Sequence, residues 1–408
     1  MSRAVDLAPS GPLALPITGL GRGWEATAIM TLTLILLSVG LVTLYSASAF
    51  LAQRQALPDY YYVSRQATGV AVGLAILGVC ARIPHDLWRR LAWPMVIVAW
   101  LLLVIVVAPG TESIAPSING ARRWLRLGPT LQPSELAKVA VIVWTAERAF
   151  RKQEEFSSLS RGLVPFLLVW AALMVPIALE PDLSTAVLVG GMGCLVVYVA
   201  GARVTHFLFL GLLALPVLYS QLDVAYRARR MMVFFDPSAD PAGAGFQVHQ
   251  SLLAFGSGGV AGVGFGQGRQ KFGFLPEAHN DFIFAMIGEE WGLIGVTTTV
   301  LLYLLLVLIG FRVASRAPDL FGQLLAVGLT SMIAMQAILH MAVGLGLVPA
   351  TGVVLPLISY GRSHLVVTLA SLGILMSISR ASERPHSVGS GTRPLGRGMR
   401  PLGRRARA

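Results

Sequence analysis

Between residues 26 and 380 the chain returns repeatedly to apolar runs of roughly 17 to 25 residues, each long enough to cross about 30 Å of hydrocarbon as a helix. Runs that are apolar on every face exclude most soluble folds, because such helices must be covered by lipid or by one another. About ten are read, at 26–50, 66–83, 91–108, 134–150, 162–180, 184–201, 204–222, 281–311, 320–345 and 363–380. The eighth is long enough to be broken. The expected fold class is therefore all-α, a polytopic membrane protein with a large extracytoplasmic loop between helices 7 and 8. Two outer connections stand out, 110–133 and 223–280, and the second is too long for a mere connector. Hydrophobic residues at 55%, charged residues at 13% and a mean hydropathy of +0.70 agree with this class.

In a soluble chain a formal charge of +12 would suggest nucleic acid. Here the charges sort by side instead, and no nucleic-acid partner is expected. With a cytoplasmic N-terminus, 20 of the 32 Lys and Arg fall on the inner side, among them Arg89, Arg90, Arg148, Arg151, Lys152, Arg312 and Arg316. Residues 1–25 lack a small-residue cleavage site, so they read as a cytoplasmic segment and 26–50 as a retained first helix. The transmembrane domain spans 26–380. Residues 381–408 form a basic tail expected to be disordered. From Arg380 onward it has eight arginines, no lysine and the repeat "RPLGR" twice, a pattern suited to anionic lipid before any specific docking. Cys80 and Cys194 lie far apart in separate helices and read as packing residues.

Four constellations interrupt the apolar pattern. In "LPEAHNDFIFAMIGEEWG", an Asp281 that starts a helix would share a stripe with Glu289, roughly 12 Å away along the axis. Asp281 then lies at the outer mouth, either as a dipole-favoured helix-start carboxylate or as a functional one. In "NGARRWLRLGPTLQPSELAKVAVIVW", Pro133 and Ser134 mark a helix start, with Glu135 and Lys138 three apart. That pair is either an intrahelical ion pair or, with Arg122, Arg123 and Arg126, part of a pyrophosphate clamp. "YRARRMMVFFDPSADPAGAGFQVHQSLLAFGSGGVAGVGFGQG" places Arg227, Arg229 and Arg230 before glycines that permit close backbone approach. No Walker-type lysine follows them, which weakens a nucleotide reading. "GLVPATGVVLPLISYGRSHLVV" sets Ser359, Tyr360, Arg362, Ser363 and His364 on irregular backbone, which at membrane depth must be buried in protein or line a cavity. His340 and His364 lack metal-ligand spacing and read as structural.

At these residues the chain resembles the SEDS family of membrane peptidoglycan glycosyltransferases, its cell-division branch more than its elongation branch. The resemblance spans about residues 26–380 and rests on "GARRWLRLG", "LQPSELAK", "LEPDLSTAVLV", "FFDPSADPAGAGFQVHQSLLAFGSGG", "LPEAHNDFIFAMIGEE" and "VLPLISYG", in that order. It implies polymerisation of lipid II into glycan strands at the outer face of the bacterial cytoplasmic membrane, at the division septum. Asp281 stands at the family's essential aspartate, and Glu135 and Lys138 match its acidic and basic motif residues. The chain departs where Arg362 and His364 replace a glycine and a serine, and where His340 replaces an asparagine.

From residue chemistry and resemblance together, Asp281 is expected to act as base. Lys138, Glu135, Arg122, Arg123, Arg126, Arg230, His279, Ser359 and Arg362 form the expected substrate-binding set. Arg362 is expected to face the cavity of Asp281, against a substrate phosphate or a carboxylate such as Glu289 or Glu290; the alternative is an arginine snorkelling to headgroups. No cofactor is identified, and a divalent cation such as magnesium could share the charge compensation. Expected partners are lipid II and the growing lipid-linked glycan, a class B penicillin-binding protein acting as transpeptidase, other divisome proteins and the membrane. Rival readings are a lipid II flippase and a noncatalytic division scaffold. The lack of a repeated half, and polar groups gathered at the outer end, favour the enzyme.

Overall fold

The computed structural model describes residues 23–117, 120–126, 130–153, 156, 162–221, 224–236 and 243–382. The N-terminal segment before Gly23 and the arginine-rich tail after Ser382 lie outside the described residues. Helices α1 (Trp24–Arg54), α2 (Tyr61–Cys80) and α3 (His85–Val107) are followed by α4 (Pro133–Arg151), α5 (Val164–Leu179), α6 (Leu183–Val199) and α7 (Val204–Ser220). Two shorter helices, α8 (Ala225–Phe235) and α9 (Ala244–Gly258), precede α10 (Ile283–Ser315), α11 (Leu320–Gly344) and α12 (Arg362–Ala381). Six of these are long and apolar enough to cross a membrane, and α5, α6 and α7 are shorter apolar helices. The polytopic all-α expectation therefore holds.

Helix α4 carries Glu135, Lys138 and Glu147, yet nearly all of it is buried. It packs against α3, α6, α11 and α12, so protein rather than lipid surrounds its charges. Glu25 pairs with Arg312 at 3.1 Å and Arg316 at 2.7 Å, tying the start of α1 to the end of α10. Cys80 and Cys194 are free thiols in α2 and α6.

The long outer connection differs most from expectation, because it contains α8 and α9 where only a loop was read. In α9, Val248, Leu252 and Phe255 recur at spacings of four and three, and the helix lies along α10. Its end closes a break in α10. At Gly292 the backbone turns to φ 64°, which leaves helical N–H and C=O groups without their usual partners. Residues 259–264 supply replacements: the amides of Val263 and Gly264 donate to the Glu289 and Glu290 carbonyls at 3.0 and 3.1 Å. The amides of Leu293 and Ile294 donate to the Gly259 and Val260 carbonyls at 2.9 and 3.1 Å. Irregular backbone at this depth is thus paired within the protein.

So close an approach requires glycine. A β-carbon on Gly258 would lie 1.9 Å from the Gly288 carbonyl oxygen. We expect Gly258→Ala to cost about 1–3 kcal/mol through overpacking, read as a lower melting temperature in detergent. An unchanged melting temperature would mean that this backbone pairing contributes little.

Smaller details also moved. The 110–133 connection forms a short antiparallel pair, β1 (Leu125–Arg126) with β2 (Thr130–Leu131). Asp281 does not begin a helix; α10 starts at Ile283, two residues later.

Candidate active site

Asp281 closes a turn in which its own amide and that of Asn280 both donate to the Glu277 carbonyl at 3.0 Å. The turn is pinned from the far side. Ser359 Oγ donates to the Asn280 carbonyl at 2.8 Å, and the Tyr360 amide donates to the His279 carbonyl at 3.2 Å. The Ser359 hydroxyl also accepts the Leu355 amide at 2.9 Å, so this buried residue fixes the aspartate loop from beneath. Beneath the turn, Ala47, Leu275, Ala278 and Phe282 form a buried apolar cluster. The His279 ring lies between Tyr62 and Tyr360, with centroids at 5.2 and 5.9 Å. Burial lowers its pKa, so it is neutral at physiological pH.

Asp281 is half-buried, and its pKa is raised to about 6, chiefly by burial and then by the Glu277 carboxylate; Arg230 and Arg123 oppose the rise. Those two arginines are held in place. Arg230 donates to the Ala350 carbonyl at 2.9 Å, and a β-carbon on Gly352, two residues on, would lie 3.8 Å from Asp281 Oδ2. Arg123 donates to the carbonyls of Glu180 and Pro181 at 3.0 and 2.6 Å, and lies 3.9 Å from Asp182.

The α5–α6 turn thereby brings in two carboxylates that were given no role at the sequence level. Asp182 caps α6 through the Thr185 amide. Glu180 is buried with neither carboxyl oxygen hydrogen-bonded, and burial followed by the Asp182 charge pushes its pKa up to about 9. It is a neutral acid at neutral pH. The signal for both was available in the carboxylates flanking Pro181 at the outer ends of two apolar helices.

Glu135 and Lys138 form a second group with His364. Lys138 Nζ is 2.7 Å from Glu135 Oε2, and His364 Nδ1 is 2.9 Å from the same oxygen. All three are buried, so Lys138 and Glu135 form an ion pair closed by His364 in this structure. Ser363 ties α12 to the start of α4, accepting the Gln132 amide and donating to the Thr130 carbonyl.

The pairing expected between Arg362 and Glu289 or Glu290 is corrected. Arg362 donates to Thr130 Oγ1 at 3.3 Å. Glu289 accepts the Arg269 amide at 2.7 Å, and Glu290 meets Ser46 at 2.5 Å and Lys271 at 3.1 Å. Both carboxylates are taken by the segment that leads into the aspartate loop. Arg122 likewise turns to Glu112 at 3.0 Å, and Arg126 lies exposed on β1. The arginines whose charge acts most on Asp281 are Arg230 and Arg123.

Among the described residues, the one grouping of three converging metal-ligand side chains is His85, Asp86 and Asp319, where α3 and α11 begin. The residues around Asp281 do not converge in that way, and Arg123 and Arg230 supply positive charge there.

With its burial and its Glu277 neighbour, Asp281 can accept a proton near neutral pH. The acid limb of kcat/KM should therefore fall below about pH 6, as the base form is lost. Glu277→Gln removes a charge that favours the protonated acid, so the limb should move to lower pH. A pH–rate profile of both proteins checks this, and an unmoved limb would detach Glu277 from the base.

Comparison with known proteins gives a consistent picture. Residues 26–384 match the profile described as cell cycle protein, for FtsW, RodA and SpoVE. A probable peptidoglycan glycosyltransferase FtsW of Geobacter metallireducens is 42% identical over 353 residues, 86% of this chain and 93% of that protein. Stage V sporulation protein E of Bacillus subtilis is 40% identical over 357 residues, 87% of this chain and 96% of that one. Among solved structures, a chain from work described as structural coordination of polymerization and crosslinking by a peptidoglycan synthase complex aligns with a TM-score of 0.71 at 30% identity. That alignment covers 90% of this chain and 100% of the other. The rod shape determining protein RodA of Thermus thermophilus aligns with a TM-score of 0.65 at 28% identity, over 90% and 99% of the two chains.

Proposed function

This chain belongs to the FtsW/RodA/SpoVE family of cell cycle proteins, and from that premise we propose that it is a peptidoglycan glycosyltransferase that polymerises lipid II during cell division. The observation that carries the mechanism is Asp281 at the outer end of the bundle, partly buried and within the electrostatic reach of two arginines. The acceptor sugar hydroxyl attacks the anomeric carbon of the donor. The C–O bond to pyrophosphate breaks, its electron pair leaves on the phosphate oxygen, and the hydroxyl proton passes to the Asp281 carboxylate. Arg230 and Arg123 offset the charge developing on the leaving group. His279 and Ser359 hold the loop that presents the base. A divalent cation such as magnesium would add to that compensation, but the mechanism needs no step through one.

Displacement without a covalent intermediate inverts the anomeric centre. An α-linked donor should therefore yield a β-linked strand, read by nuclear magnetic resonance on the purified polymer. Retained configuration would require a covalent glycosyl-enzyme and would remove Asp281 from the role of base. The active site would face the extracytoplasmic side at the septum. A class B penicillin-binding protein is the natural partner, since one structural relative comes from a peptidoglycan synthase complex described as coordinating polymerization and crosslinking.

A further inference from the structure

Behind Arg230 lies a groove lined by Val233 of α8, Val248 and Leu252 of α9, and Pro349 and Ala350 after α11. Arg230 is the one charged residue in the lining. Around it Met232, Phe235, Leu253 and Leu347 expose their side chains, as residues facing lipid do. Helix α8 carries three arginines in its first half and the run Met231 to Phe235 in its second, the composition of a helix lying in the membrane interface.

We propose that this groove takes the polyprenyl chain of the donor, the lipid whose pyrophosphate leaves, rather than that of the acceptor. The inference rests on the glycosyltransferase reading and adds which of the two lipids lies where. In the donor, pyrophosphate is bonded to the very carbon under attack, so only that carbon separates its leaving oxygen from the attacking hydroxyl that the base deprotonates. In the acceptor, the lipid pyrophosphate is a whole disaccharide away from the attacking hydroxyl. A cation beside the base therefore meets the donor. Arg230 is that cation: the Ala350 carbonyl fixes it, Gly352 stands next to Asp281, and its charge acts on the Asp281 carboxyl. The hydrocarbon attached to that pyrophosphate must then run away from Asp281, and the apolar groove begins at Arg230.

The test uses the full chain in nanodiscs and two photoreactive lipid II probes, each with a benzophenone near the phosphate end of its polyprenyl chain. One has its non-reducing 4-hydroxyl blocked and can act only as donor. The other carries a carbon–phosphorus bond at the anomeric centre and can act only as acceptor. The donor-only probe should label peptides containing Val233, Val248 or Leu252, and unlabelled lipid II should compete. Leu252→Trp, which fills the groove, should reduce that label several-fold and raise KM for the donor. Donor label elsewhere, equal labelling by the acceptor-only probe, or displacement by ordinary phospholipid would each overturn the proposal. Polymerisation of native lipid II in the same preparation reads the enzymatic function separately: groove labelling without polymer would sustain the site and remove the activity.

Discussion

Asp281→Asn should reach the membrane folded and lose polymerisation by on the order of 10²- to 10⁴-fold, the usual contribution of a positioned base. The amide keeps the shape of the side chain but cannot take the acceptor proton. Stability should move the other way. The folded-state pKa of Asp281 is raised from 3.8 to about 6, so between those values the native state holds a proton that the unfolded chain has released. Stability from this group is therefore present at low pH and is lost as pH rises through about 6. An amide never ionises. The variant should thus melt no lower than its parent at pH 7.5, and an inactive but misfolded variant would not support the assignment. A stable variant with near-parental turnover in a lipid II assay would exclude Asp281 as base.

Lys138→Met should be the most destabilising single change at the second group. It leaves the Glu135 carboxylate buried against His364 alone, and breaking a buried pair from one side costs about 3–5 kcal/mol. The double variant Glu135→Gln with Lys138→Met removes both charges and should recover much of the melting temperature. Since the structure encloses Lys138 against Glu135, we expect activity to return with stability. A double variant that is stable yet inactive would instead put the Lys138 ammonium on a substrate phosphate.

How much of this was legible in the sequence varies with the physical signal. Helices apolar on all faces announce themselves by length, and α4 was placed in spite of its charges because Pro133 and Ser134 mark its start. Helix α9 was missed, since its glycines resemble a loop; the recurrence of Val248, Leu252 and Phe255 was the weaker, correct signal. The pairing of residues 259–264 with the break in α10 runs from backbone to backbone, so it leaves no side-chain pattern to read beyond the glycines that permit it.

Asp281 was singled out through family resemblance, while the charged groups that act on it were only half legible. Arg123 and Arg230 were among five arginines in the expected set, and nothing local separates them from Arg122, Arg126 and Arg362. The fold does, by docking Arg123 on the α5–α6 turn and Arg230 on Ala350. Asp182 lies about a hundred residues before Asp281, and only the packed bundle brings its charge to bear on that carboxyl. The expected link from Arg362 to Glu289 or Glu290 failed because the 269–271 segment folds back onto both carboxylates, and Ser46 of α1, distant in sequence, joins it at Glu290.

The most direct measurement is the size of what the wild-type chain makes from labelled lipid II in proteoliposomes, resolved by electrophoresis with and without a class B penicillin-binding protein. The account predicts a ladder of lipid-linked glycan strands that disappears in Asp281→Asn. Labelled lipid II that crosses the bilayer in a protein-dependent way while remaining a single disaccharide unit would contradict it, and would make the chain a carrier.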